Sequence, residues 1–251
     1  MTDEHLQLLV DLHKRSYRQG PGSSSATHLA LNLAKLPSDK PLKIADIGSG
    51  TGASSLFLAE KLNAKVIAVD FLQEFLDELI IKAKKENLVD KISTLMSTME
   101  DLPFSEKEFD VIWSEGAIYN MGFSEGISYW KRFLKPGGKL VVSEITWITN
   151  DRPEELTKYW ENEYPQVDTA SSKMKLLEQN GYTPEAYFYL PTDCWIENYY
   201  GPLSKNFDDF LEGSNNKELA KQIIERERTE ITFYEKYKDY YSYGVYIAKK
   251  L

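Results

Sequence analysis

The chain has 251 residues, 42% of them hydrophobic and 13% aromatic, which fills a sizeable core and excludes disorder for the bulk of it. Its 30 Lys and Arg against 39 Asp and Glu leave a formal net charge of −9, which does not suit non-specific binding to nucleic acid or anionic lipid. A single cysteine, Cys194, excludes an intrachain disulfide and a cysteine-held zinc; the acidic start, Met1 to His5, leads into no apolar run of signal or membrane length, so a cytoplasmic protein is expected.

Residues 4–17 carry Leu6, Leu9, Val10 and Leu12 at helical spacing and predict an amphipathic helix that ends at Gln19-Gly20-Pro21-Gly22. Ser23, Ser24 and Ser25 offer N-cap oxygens to a second helix through Leu36, where Pro37 stops it. From residue 42 the pattern changes to short apolar runs at 42–47 and 65–69 around a helical stretch at 53–62, a βαβ unit. Further strands are predicted at 92–96, 109–113, 139–145, 186–190 and 243–248, with helices near 72–87, 124–134, 153–162, 170–180 and 216–238. This alternation implies an α/β fold with a mostly parallel sheet covered on both faces. The stretch 147–181 is too long for a simple connection and is a candidate lid or substrate cap. No linker rich in Pro, Gly or Ser divides the chain, so a single domain is expected.

The first strand runs into Asp46-Ile47-Gly48-Ser49-Gly50-Thr51-Gly52, whose glycines allow a tight turn and a close backbone approach to a ligand. Gly48, Gly50 and Ala53 satisfy the dinucleotide pattern, and Asp70 lies 20 residues beyond Gly50 at a strand end, placed for a ribose diol. The loop alone is compatible with NAD or another adenosine ligand. Asp46, two residues before the first glycine, would repel a pyrophosphate and suits an ammonium or sulfonium. Gly52 is a third alternating glycine, and two further segments follow, Met99-Glu100-Asp101-Leu102-Pro103-Phe104 and Leu134-Lys135-Pro136-Gly137-Gly138.

With these residues the sequence resembles the class I S-adenosylmethionine-dependent methyltransferases, in the small-molecule branch similar to the ubiquinone/menaquinone-biosynthesis enzymes. The likeness runs from about residue 40 to 146 and is looser at Arg18 to Ser23 and Trp195 to Leu203. It implies a Rossmann-like seven-stranded sheet with its last strand inserted antiparallel. It also implies a helical lid (1–40), a cofactor-binding core (41–146), a helical substrate-cap insertion (147–181) and C-terminal strands and helices (182–251). By the same resemblance Asp46, Gly48, Gly50 and Gly52 hold the methionine part of S-adenosylmethionine, and Asp70 takes both ribose hydroxyls. Phe71 lies against the adenine, the Met99 N–H meets its ring, Ser114 sits beside the methionine group, and Tyr17 begins the segment that closes over it. Thr98 stands where the family commonly has an Asp accepting from the adenine amino group, which leaves Glu100 as the alternative acceptor.

The implied function is methyl transfer to an unassigned small-molecule acceptor, with S-adenosylhomocysteine as product and no nucleic acid or membrane partner. An NAD(P)-dependent oxidoreductase and a non-catalytic S-adenosylmethionine-binding protein are the alternatives. Methyl transfer needs alignment and exclusion of water more than a dedicated nucleophile. Glu115, leaving the fourth strand, is the candidate base or substrate anchor, and Glu144 is a second candidate. His5, His13 and His28 are taken as surface or packing residues, and no metal site is expected. Among Trp147, Tyr159, Trp160, Tyr164, Trp195, Tyr199 and Tyr200, some are expected to wall a flat apolar substrate or cage a cationic amine. The alternating charges of 217–238 predict a solvated helix face.

Overall fold

The computed structural model describes residues 3–251, so Met1 and Thr2 of the acidic start lie outside the described residues. Two N-terminal helices, α1 (Asp3–His13) and α2 (Ser24–Ala34), precede the sheet. The first helix stops earlier than its periodicity predicts because Gln19 donates to the carbonyls of His13 and Ser16 and folds the chain back. Ser23 caps α2, its Oγ accepting from Ala26 N at 3.0 Å.

The sheet is built from β1 (Leu42–Ile47), β2 (Ala64–Asp70), β3 (Ile92–Met96), β4 (Phe109–Ser114), β5 (Leu134–Trp147), β6 (Asp168–Thr169), β7 (Tyr182–Tyr189) and β8 (Tyr241–Lys250). Its order is β3-β2-β1-β4-β5-β8-β7, with the two-residue β6 alongside β5, so eight strands replace the expected seven. β8 runs antiparallel between β5 and β7. Ile44, Val66, Val111 and Val141 build the core on one face, and Ala45, Ile112, Leu140 and Val142 that on the other, as expected for strands buried on both sides. One expectation fails at Lys135-Pro136-Gly137-Gly138. These residues do not interrupt the chain before a short strand but are carried within β5 as an irregularity, where the register jumps from Phe109 opposite Leu134 to Val111 opposite Lys139.

Helices α3 (Ala53–Lys61), α4 (Gln73–Lys85), α5 (Phe123–Trp130), α6 (Glu154–Glu163) and α7 (Ala170–Gln179) connect the strands. Between β7 and β8 lie α8 (Thr192–Trp195), a π-helical turn (Ile196–Tyr200), α9 (Gly201–Lys205), α10 (Phe207–Gly213) and the long α11 (Lys217–Tyr237). The short helices at 192–213 have no counterpart among the elements predicted from the sequence. Gly201-Pro202 masks their periodicity, yet Pro202 sits in a first helical turn, where its missing N–H costs nothing.

β1 is the switch point, with β2 on one side and β4 on the other, and the chain leaves it through the glycine loop into α3. Gly52, at φ +89°, closes that loop against α4, where an added Cβ would lie 2.0 Å from Leu79 Cδ1. Gly52→Ala should therefore cost roughly 2–5 kcal/mol in urea unfolding, from left-handed backbone plus overpacking. Gly20→Ala, whose methyl would meet nothing within 4 Å, should be near neutral. Equal midpoints for the two variants would show that α4 gives way freely.

Candidate functional site

The glycine loop is held from the end of β2. Gly48 N and Ser49 N both donate to Val69 O at 2.9 Å. Asp70 completes the hold, with Oδ2 accepting from Gly50 N at 2.8 Å and Oδ1 from Leu72 N at 3.0 Å. Burial raises the Asp70 pKa, opposed by these backbone N–H groups. At Gly48 a Cβ would lie 2.2 Å from Ala117 Cβ, and at Gly50 2.4 Å from Gln19 Oε1, so neither position has room for a side chain.

A cavity of about 690 Å³ opens over this loop. One part is walled by Gly48, Gly50, Asp70 and Phe71 and by Thr98, Met99 and Glu100, all singled out in the sequence. Trp130 Nε1 donates to Met99 O at 3.1 Å and fixes that segment. Four other singled-out residues stand outside the cavity wall. Asp46 is fully buried behind the loop, where Oδ2 accepts from Ser54 Oγ and Ser55 Oγ at 2.8 and 2.6 Å. Gly52 packs on Leu79, and Ser114 Oγ donates to Ile47 O at 2.8 Å, tying β4 to β1. Tyr17 is exposed, its ring beneath Lys82 Nζ.

Glu115 does line the cavity, but both its oxygens are engaged. Oε2 accepts from Arg18 Nη1 at 2.7 Å and Oε1 from Trp113 Nε1 at 2.9 Å. The Thr27 hydroxyl accepts from Arg18 Nη2 at 2.9 Å and lies 2.9 Å from Glu115 Oε1. Abstracting a proton from an acceptor would compete with this ion pair, so the geometry favours a structural role in which Glu115 anchors the segment after α1 to the core. Gln19 adds a second anchor, its Oε1 accepting from Thr51 N at 2.8 Å. Glu144, the second candidate, is buried outside the cavity wall, 3.2 Å from Lys173 Nζ.

In the remaining wall Trp160, Trp195 and Tyr199 are among the aromatics expected to wall a substrate, whereas His13, Glu227, Glu230 and Tyr243 were missed in the sequence. His13, expected on the surface or in packing, faces the cavity, with Nε2 3.5 Å from Glu227 Oε1. The solvated face expected of α11 is correct for Glu225, Arg226 and Arg228 but not for Glu227, which is buried. A signal was present: Glu227 falls on the stripe of Ala220, Ile223, Ile224 and Tyr234, one face of the helix. Within the expected cap, Trp160 of α6 reaches the cavity, whereas α7 packs on the sheet through Leu177.

Arg18→Ala leaves the Glu115 carboxylate without its cation and should cost about 3 kcal/mol, with faster proteolysis near residues 14–22; an unchanged urea midpoint and cleavage rate would mean the pair anchors nothing. Burial is the main cause that lifts the Asp46 pKa from 3.8 to about 7, against the pull of the Ser55 and Ser54 hydroxyls. The folded protein then holds the extra proton, so its stability relative to Asp46→Asn should be greatest below about pH 4 and decline towards about pH 7. A flat difference across that range in denaturant titrations would refute the shift.

Residues 44–138 match the family model described as a methyltransferase domain. The chain is 26% identical over 149 residues to a probable tocopherol O-methyltransferase of Oryza sativa subsp. japonica, covering 54% of this chain and 41% of that protein. It is 32% identical over 162 residues to a demethylmenaquinone methyltransferase of Bacteroides fragilis, covering 61% of this chain and 60% of the relative. The matches thus span between 41% and 60% of these two relatives' lengths. An S-adenosylmethionine-dependent methyltransferase from Geobacter sulfurreducens, solved with S-adenosyl-L-homocysteine, superposes with a TM-score of 0.85 over 98% of each chain at 17% identity, a likeness of fold. Residues 44–138 thus match a methyltransferase domain, and the chain as a whole shares the fold of a solved S-adenosylmethionine-dependent methyltransferase.

Proposed function

We propose that the protein transfers a methyl group from S-adenosylmethionine to a small-molecule acceptor, with the cofactor along the glycine loop and the acceptor in the part of the cavity beyond Glu115. The observation that carries the reading is Asp70. Its buried carboxylate lines the cavity at the end of β2; the backbone N–H groups of Gly50, Leu72 and Phe71 meet it, and the roughly four lone-pair sites of a carboxylate leave acceptor capacity for a ribose hydroxyl. The missing side chains at Gly48 and Gly50 let Ala117 and Gln19 pack against the loop, whose backbone lines the cavity where the cofactor's methionine end would lie. The matched methyltransferase domain favours this reading over a nicotinamide cofactor.

When bound, the cofactor supplies an electrophilic methyl on a sulfonium and leaves as S-adenosylhomocysteine. Phe71 lies ready to cover the adenine, and Thr98, Met99 and Glu100 to meet its edge. Asp46 acts indirectly, holding the start of α3 through Ser54 and Ser55 and so setting the loop. Tyr17, Gly52 and Ser114 serve the same frame. The segment 14–22, fastened by Arg18 and Gln19, excludes water and aligns the reactants, and alignment alone can lower such a barrier by about 7–11 kcal/mol. Among the described residues no helix is long and apolar enough to cross a membrane. The acidic net charge and single buried thiol fit a cytoplasmic enzyme that binds no nucleic acid.

Calorimetry with S-adenosylhomocysteine tests the assignment. Asp70→Ala should weaken binding at least tenfold, because hydrogen bonds to a charged acceptor, worth about 1.5–3 kcal/mol each, are lost. Asp70→Asn, which keeps one acceptor oxygen, should fall between. An unchanged Kd in a folded Asp70→Ala protein takes Asp70 out of the site.

A further inference from the structure

The acceptor part of the cavity contains a charge that the cofactor reading leaves unused. Glu227 is only 7% exposed, its Oε1 lies 3.5 Å from His13 Nε2, and its Oε2 is buried with no hydrogen-bond partner among the described residues. One turn along α11, Glu230 lines the same cavity and accepts from Tyr200 OH at 3.0 Å. A buried carboxylate oxygen without a donor is costly; Asp46 Oδ1 and Glu144 Oε2 share that state, but of the three acids only Glu227 belongs to the cavity wall, where a ligand can supply the donor. Arg226, the neighbouring cation on this helix, also borders the cavity, but its side chain is exposed and forms no ion pair with either acid among the described residues. The rings around the acids are electron-rich. Tyr199 stacks beside His13 with centroids 6.4 Å apart, and Tyr243 stacks on Trp195 at 5.1 Å.

Resting on the methyltransferase reading above, we propose that the acceptor carries a protonated or quaternary nitrogen, held by Glu227 and Glu230 within this aromatic wall. The ammonium supplies the charge that Glu227 Oε2 lacks, and ring quadrupoles attract it further. An acceptor bearing a phosphate or carboxylate would meet two acids of its own sign, the buried Glu227 and the half-buried Glu230. A neutral flat acceptor would leave Glu227 Oε2 without a donor. Glu115, expected from the sequence to anchor an ammonium, is already paired with Arg18, so recognition passes to α11.

The experiment uses choline and its uncharged isostere 3,3-dimethyl-1-butanol, each titrated into the full chain at saturating S-adenosylhomocysteine, with Trp160 and Trp195 fluorescence as readout. Choline should bind at least tenfold more tightly than the alcohol. In Glu227→Gln the two should come within threefold, while calorimetric affinity for S-adenosylhomocysteine stays within twofold. Equal binding of the two probes to the unaltered protein, binding of neither, or a preference that survives Glu227→Gln overturns the proposal. The first comparison needs no variant and stands even if Glu227→Gln fails to fold. Loss of S-adenosylhomocysteine binding by the unaltered protein would instead overturn the methyltransferase reading itself.

Discussion

A turn of three left-handed glycines exposes backbone N–H groups that its own hydrogen bonding cannot satisfy, and buried donors left unpaired are expensive. The end of β2 takes up three of them, through Val69 O for Gly48 and Ser49 and through the Asp70 carboxylate for Gly50. The same carboxylate accepts from Leu72 N and so sets the start of α4. Burial raises the Asp70 pKa, and the backbone N–H groups work against that rise at the point where the carboxyl meets the cavity. Because the loop is fastened from the side, it cannot collapse onto β4, and the space above the switch point remains.

A second fastening closes that space. The segment between α1 and α2 carries no secondary structure that would hold it, yet Arg18 is 7% exposed and reaches Glu115 on the far side of the glycine loop. Its guanidinium also donates to Thr27 of α2, and Gln19 spans the carbonyls of His13 and Ser16 and the N–H of Thr51. The segment is thus held by polar contacts at both ends of a few residues. Such contacts can be exchanged without repacking a core.

The buried acids of the site differ in how their burial is offset. Glu144 is compensated by Lys173 at 3.2 Å, and Glu115 by Arg18 at 2.7 Å. Asp46 is held by two hydroxyls and has no cation, and its carboxyl rises towards neutrality accordingly. Glu227 has a histidine on one oxygen and nothing on the other.

What the sequence by itself determined was local and periodic. The strand–helix alternation, the glycine loop after β1 and Asp70 at the end of β2 follow from spacing along one βαβ unit, and the structure brings Gly48, Gly50, Asp70, Phe71 and the 98–100 segment to one cavity. The family resemblance added the antiparallel last strand, which pairs with β5 and β7. Only the tertiary structure decided which charges are spoken for. Whether Glu115 is a base or an anchor depends on Arg18, and whether Glu227 is a solvated charge or a cavity wall depends on which face of α11 meets α1. Chain spacing carries no information about such pairs, because residues far apart in the chain are brought together only when the helices pack on the sheet. Hydrophobic pattern says which face is buried, but a charged side chain on that face reads as an exception until the partner opposite it, or the lack of one, is seen.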